Sequence, residues 1–208
     1  MNYSSYHPRF FEEDNIFEAK GILGWLGKKR KIAICSGIIA AIKQRDHLKI
    51  LDVGCRYGGI LREFKRAFTI GIDINYSALK KAKEKDRESI FIQCDAKNLP
   101  FKSEIFDFVV CSEVLEHVDS PVRLADQVTD VSREGGFIYI TVPNELITTI
   151  GRFLLKKKPY KSLAHKTVFS FSKLRTLFPY SLVKKINIPF ACMPFCVSTN
   201  MMVCFRKL

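Results

Sequence analysis

The chain has 208 residues, 47% of them hydrophobic, and carries 34 Lys and Arg against 21 Asp and Glu for a formal charge of +13. That balance suits a single globular domain with a sizeable core, and it either favours anionic partners such as RNA, anionic lipid or a phosphorylated substrate or is the solvated surface of a basic protein. No apolar run reaches the roughly 20 residues that span a bilayer, and Cys192 and Cys196 lack the second pair that a zinc set needs, so the seven cysteines read as reduced thiols in a cytosolic protein, with no metal site.

In chain order, residues 8–44 read as helical, with breaks expected around Gly21 to Gly27. The apolar run Ile32–Ile42 follows "KKRK" and is expected to form a buried helix face. "LKILDVG" is a continuous apolar strand. Gly58 to Phe68 reads as a helix, because Ile60, Leu61, Phe64 and Phe68 fall at helical spacing. "FTIGIDI" is a second strand, followed by a helix that Asn75 or Ser77 can cap. "SIFIQCD" and "IFDFVVC" are the third and fourth strands. Ser120 and Pro121 supply an N-cap and a first-turn proline for the helix of Leu124, Val128 and Val131. "GGFIYITVP" is the fifth strand. Phe169 and Leu174 sit where a hydrophobic staple closes a helix start at Ser170. "SLVKKINIPF" and "STNMMVCFRKL" read as two last strands, and a tight turn between them makes the final one antiparallel. Alternating strands and helices predict an α/β, Rossmann-like fold: a mostly parallel sheet, helices on both faces, and a ligand crevice at the carboxyl ends of the strands.

Three glycines, Gly54, Gly58 and Gly59, follow the first strand, but not in the dinucleotide spacing. Gly54 allows a tight turn, and Gly58 lets backbone approach a ligand at a helix start. Asp73 ends the second strand, where a carboxylate can accept from both hydroxyls of a ribose. Asp95 ends the third, where a carboxylate can take an exocyclic adenine N–H while Ile74 and Ala96 flank the ring. Asp52, inside the first strand, can order the loop or meet an ammonium group through water. Each Asp alone could be a turn or cap residue; together with the loop they point to an adenosyl ligand.

"ILDVGCRYGG", "GIDINYSALKKAK", "IQCDAKNLPFKSEIFDFVVCSEVLEHV" and "GGFIYITVPN" resemble, in order and spacing over residues 48–145, the successive motifs of class I S-adenosylmethionine-dependent methyltransferases, especially the ubiquinone-biosynthesis and small-molecule O-methyltransferase group. The resemblance implies S-adenosylmethionine as cofactor and a seven-stranded sheet with its last strand antiparallel. It implies that Gly54, Cys55, Arg56 and Gly58 pack against the methionine part, Asp73 binds the ribose, Asp95 the adenine, and the backbone at Cys111 and Ser112 faces the methionine amino group. It divides the single domain into an N-terminal helical segment (1–47), a cofactor-binding core (48–142), a substrate-cap insertion (143–168), and a C-terminal helix with the last strands (169–208). Arg56 stands where the family usually has glycine. If that position needs positive φ, the arginine is strained by roughly 1 kcal/mol or more; if not, the side chain can turn away or reach the cofactor's carboxylate.

A sulfonium methyl group is already electrophilic, so the protein must align a nucleophile, exclude water and take a proton from a hydroxyl acceptor. His117 in "SEVLEHV" is the first candidate base, with Glu113 and Glu116 beside it; His165 in "HKTVFSFSKL" is the second. In the cap segment, Leu146, Ile147, Ile150, Phe153 and Leu154 share a helical face that Lys156, Lys157 and Lys158 follow. That face either packs over the site or lies on an anionic membrane surface as a peripheral anchor. The expected acceptor is a small, hydrophobic or lipid-linked molecule. RNA is the alternative from the charge, and a binding subunit of this fold without turnover is a third reading.

Overall fold

A computed structural model describes residues 21–42, 47–154, 165–189 and 198–208. Seven strands form one sheet: β1 (Lys49–Val53), β2 (Phe68–Asp73), β3 (Ile90–Gln93), β4 (Phe106–Ser112), β5 (Ser132–Pro143), β6 (Ser181–Ile188) and β7 (Asn200–Arg206). Their order is β3-β2-β1-β4-β5-β7-β6. The first five run parallel, and β7 runs antiparallel to both β5 and β6. The predicted Rossmann-like sheet with an antiparallel last strand is therefore present. β1 and β4 lie near the centre with predominantly apolar sequences, as suits strands covered on both faces.

The helices are α1 (Gly21–Ile42), α2 (Tyr76–Lys85), α3 (Pro121–Val131), α4 (Glu145–Leu154) and α5 (Phe171–Leu177). Three caps match the sequence reading. Asn75 accepts from the Ala78 N–H, Ser120 from Arg123 and Ser170 from Lys173. Asn75, not Ser77, caps α2. One face of the sheet packs Leu124, Val128 and Val131 of α3 and Leu174 of α5 against β4, β5 and β7. The other packs Ile34, Cys35 and Ile38 of α1 with Leu61 and Phe64 against Phe108, Val110, Tyr139 and Met202.

Three expectations are corrected. α1 does not break between Gly21 and Gly27: Gly24 and Gly27 are buried within it, and tertiary packing outweighs their poor helix propensity. Residues 58–68 do not form an α-helix. Only Leu61–Glu63 make a single 3-10 turn, because the chain must turn back in time for Phe68 to open β2. The last two strands are antiparallel without a tight turn; residues 189–199 connect them. The predicted helix over residues 8–20, the lysines at 156–158, and Cys192 with Cys196 lie outside the described residues. Cys35, Cys55, Cys94, Cys111 and Cys204 are free thiols.

Candidate functional site

The parallel register brings the carboxyl ends of β1, β2, β3 and β4 side by side, with Val53 opposite both Ile72 and Cys111. The loop after β1 turns back at once. Gly54 and Cys55 donate their backbone N–H groups to Ile72 O (2.8 and 2.9 Å), and Gly58 donates to Cys55 O (2.9 Å). Arg56 donates its backbone N–H to Asp73 Oδ2 at 2.8 Å, and Asn75 donates to Asp73 Oδ1 at 2.8 Å. Asp73 thus ties the loop to the end of β2 and is itself buried.

Gly54, Arg56 and Gly58 all have positive φ, at 75°, 46° and 65°. Arg56 is therefore held in the left-handed region that costs a non-glycine residue about 1–2 kcal/mol. Its guanidinium lies 5.6 Å from the centre of the Tyr57 ring, which offsets part of that cost. At Gly54, an added Cβ would sit 2.4 Å from Val114 Cγ2. Gly58 opens no helix; its bare face meets the Phe91 ring, where a Cβ would lie 2.8 Å from Cζ. Close packing within the protein, rather than room for a ligand, accounts for that glycine.

Asp52 is fully buried, and burial, reinforced by the nearby Asp73 charge, pushes its carboxyl up to about 8. Burial also raises Asp73, against the lowering effect of the N–H groups of Asn75 and Arg56 and of the Arg56 charge. Asp95 accepts from the Lys97 N–H (2.9 Å) with Lys97 Nζ at 3.6 Å, so its carboxylate closes its own turn. Ile74 and Ala96 are half-buried beside it. Cys111 is buried within β4, and Ser112 Oγ shares a hydrogen bond with Thr141 Oγ1 of β5 at 2.8 Å.

Beyond β4, Glu113 takes a positive φ of 58°. Its carboxylate accepts from Thr141 Oγ1 (3.0 Å) and Asn200 Nδ2 (2.9 Å) and pairs with Arg30 of α1 at 3.2 Å. Glu116 is buried, and neither of its carboxyl oxygens has a hydrogen-bond partner. Burial first, then the Glu113 charge, raises its carboxyl well above the usual range.

The two histidines singled out in the sequence come together here. The His117 and His165 rings meet edge to face at 4.9 Å. Two backbone bonds set this up: Lys166 and Thr167 donate to Glu116 O at 2.7 and 3.3 Å. His117 Nε2 stands 3.8 Å from Glu116 Oε1, and His165 Nδ1 is bonded to Glu145 Oε1 at 2.5 Å. Glu145 is held in turn by Thr148 Oγ1 at 3.0 Å. Ligand atoms of Glu116, His117 and His165 all lie within 4.8 Å of one another, a separation that a divalent cation can bridge.

Sequence reasoning missed Glu145, Arg30 and Asn200. Glu145 leaves one faint signal, an acid just after the fifth strand at the head of an apolar stretch. Arg30 is hidden in a basic run, and Asn200 in a strand.

Residues 51–140 match a family model described as a methyltransferase domain. The chain is 31% identical over 129 residues to a ubiquinone biosynthesis O-methyltransferase of Coxiella burnetii, covering 57% of this chain and 55% of that one. It is 34% identical over 96 residues to a tRNA (carboxymethyluridine(34)-5-O)-methyltransferase of Arabidopsis thaliana, covering 45% of this chain and 23% of that one. The chain thus spans about half, or less, of the length of the curated relatives it matches. Magnesium protoporphyrin IX methyltransferase from Synechocystis, solved with bound SAH, shares the fold at a TM-score of 0.69 and 14% identity, over 96% of this chain and 92% of that one.

Proposed function

We propose that the chain, whose residues 51–140 match a methyltransferase-domain family model, is a class I S-adenosylmethionine-dependent methyltransferase that binds S-adenosylmethionine at the carboxyl ends of β1 to β4 and methylates a small, hydrophobic or lipid-linked acceptor. One observation carries the cofactor reading. The N–H groups of Gly54, Cys55, Arg56 and Gly58 are all bonded inside the protein, so the loop is no nest for phosphates. A buried acid, Asp73, nevertheless stands at the end of β2. That pairing suits a nucleoside without phosphates. In this reading Asp73 uses its remaining lone pairs on the ribose, Asp95 accepts from the adenine between Ile74 and Ala96, and the β4 end at Cys111 and Ser112 faces the amino group.

Bound S-adenosylmethionine supplies a methyl group activated by its sulfonium. The protein's own part is to orient the acceptor and hold its proton. In the tautomer that donates Nδ1–H to Glu145, His165 presents Nε2 as an acceptor for a hydroxyl proton. His117 packs across that ring and keeps it in place. A second reading rests on the unpartnered, buried oxygens of Glu116. A divalent cation held by Glu116, His117 and His165 would satisfy them, with Glu145 orienting His165 from behind.

Exposed Leu146, Ile150 and Phe153 on α4 support a hydrophobic acceptor, or an anionic membrane surface reached by the segment Leu146–Lys158. The net charge of +13 and the tRNA-modifying relative support RNA as the alternative. Methyl transfer from labelled S-adenosylmethionine to lipid-linked phenols and to bulk tRNA, each with and without a chelator, tests the reading. Transfer to the phenols and not to tRNA upholds it, and chelator sensitivity selects the cation over the base. Cofactor binding without turnover on either class would favour a binding subunit.

A further inference from the structure

α1 is apolar on both sides. Its inner side is the core face built on Ile34, Cys35 and Ile38. Its outer side carries Trp25, Ile32 and Ile39, exposed at 40%, 59% and 60%. These three recur every seven residues, so they form one row about 21 Å long down the helix. Exposed Lys28 and Ser36 fall between them along the same row. The row is therefore too narrow and too interrupted for a coiled-coil seam, which needs a second apolar residue in each heptad.

The charges carried by the helix itself have one sign. α1 contains no Asp or Glu. Lys28 is exposed, and Lys29 Nζ lies 5.6 Å from the centre of the Trp25 ring. Lys31 reaches Glu63 at 2.5 Å, which brings the exposed Lys65 and Arg66 of the following loop, and Phe68 at the start of β2, alongside the same helix. A thin apolar ridge with a tryptophan at one end and a cationic collar fits the boundary between water and an anionic bilayer, where indole sits at headgroup level and lysine stems bury their methylenes. No described helix is long and apolar enough to cross a membrane, so the ridge would lie in the interface plane.

We propose that the outer face of α1, with Trp25, Ile32 and Ile39 as its apolar ridge and Lys28, Lys29, Lys65 and Arg66 as its collar, docks on an anionic lipid surface. The ion pair between buried Arg30 and half-buried Glu113 fixes the Trp25 half of α1 at the carboxyl edge of the sheet, the edge at which α4 also begins. Docking therefore places the Trp25 end of the ridge, and with it one rim of the crevice, at the bilayer surface. This deepens the lipid-linked acceptor reading and rests on it for its purpose, but not for its evidence.

Trp25 is the chain's single tryptophan, so its fluorescence reports this face alone. The full-length protein is titrated with mixed phosphatidylcholine–phosphatidylglycerol vesicles, with phosphatidylcholine vesicles, and with a single-stranded RNA oligonucleotide. A blue shift of Trp25 with the mixed vesicles at low salt is expected, together with quenching by brominated acyl chains. Added salt should reverse both, and the other two titrants should produce neither. Ile32→Ser with Ile39→Ser, both at exposed positions, should weaken partitioning about tenfold or more, as should Lys28→Gln with Lys29→Gln. Leu146→Ser with Phe153→Ser should leave the Trp25 shift in place. Sedimentation with vesicles while Trp25 stays unshifted and unquenched would overturn docking by α1 and leave the acceptor reading standing. A Trp25 response to RNA in place of vesicles, or none at all, would overturn it as well. Methylation of lipid-linked phenols presented in detergent tests the acceptor reading separately.

Discussion

Asp52 offers the sharpest test of how the crevice is built. Its carboxyl is fully buried in β1, and its folded value of about 8 stands against 3.8 in the open chain. Above pH 3.8 the unfolded chain has released this proton while the folded protein still holds it, so stability falls as pH rises and levels off only above about 8. At about 1.36 kcal/mol for each pH unit, the loss from this one group between pH 5 and 8 is on the order of 4 kcal/mol. Asp52→Asn keeps the shape and removes the titration. Urea unfolding followed by circular dichroism at pH 5, 6, 7 and 8 should therefore show the variant gaining on the natural protein at each step. A difference between the two that stays constant across that range would refute the reasoning, because Asp52 would then be ionised at neutral pH in the fold. A bound cationic cofactor should flatten the natural protein's slope, since a nearby positive charge favours the carboxylate.

Arg30→Ala leaves the half-buried Glu113 near Glu116 without its cation and should lower stability by about 1.5–3 kcal/mol, with Arg30→Lys recovering part of it in the same thermal melts. Gly54→Ala combines a φ of 75° with a Cβ 2.4 Å from Val114 Cγ2 and should lose roughly 2–4 kcal/mol. Adding Val114→Ala should return the packing share only. Arg56→Gly relieves about 1–2 kcal/mol of backbone strain and gives up a ring contact of about 0.5–1 kcal/mol. Its stability should change little and its cofactor affinity should hold or improve; a large loss of affinity would mean that Arg56 touches the ligand.

The strands were legible because strands covered on both faces need mostly apolar runs, and "ILDVG" and "FDFVVC" supply them with one Asp each. Caps were legible because Asn75, Ser120 and Ser170 each face an orphan N–H that their own short side chain can reach. The stretch Gly58–Phe68 misled for a physical reason. Its apolar residues fall at helical spacing, but Ile60, Leu61 and Phe64 point into the core from a turn while Phe68 already opens β2, which leaves no room for a second helical turn. α1 misled in the opposite direction. Its glycines look like breaks until the packing partner is known, and Gly37 lies so close to Tyr139 that a Cβ would meet the ring at 2.8 Å. In the candidate site, the strand-end acids and both histidines could be picked out by position alone. Glu145 and Arg30 could not, because their significance lies in partners far along the chain, His165 and Glu113.

In the proposed site, the carboxyl ends of β1 to β4 hold S-adenosylmethionine through Asp73. Isothermal titration of the protein with S-adenosylmethionine, repeated on Asp73→Ala with the fold checked by circular dichroism, tests it most directly. The expected result is one cofactor bound per chain, with an affinity loss in the variant of about 1.5–3 kcal/mol, roughly tenfold to more than a hundredfold. No heat of binding to the natural protein, or equal affinity in the folded variant, would contradict it.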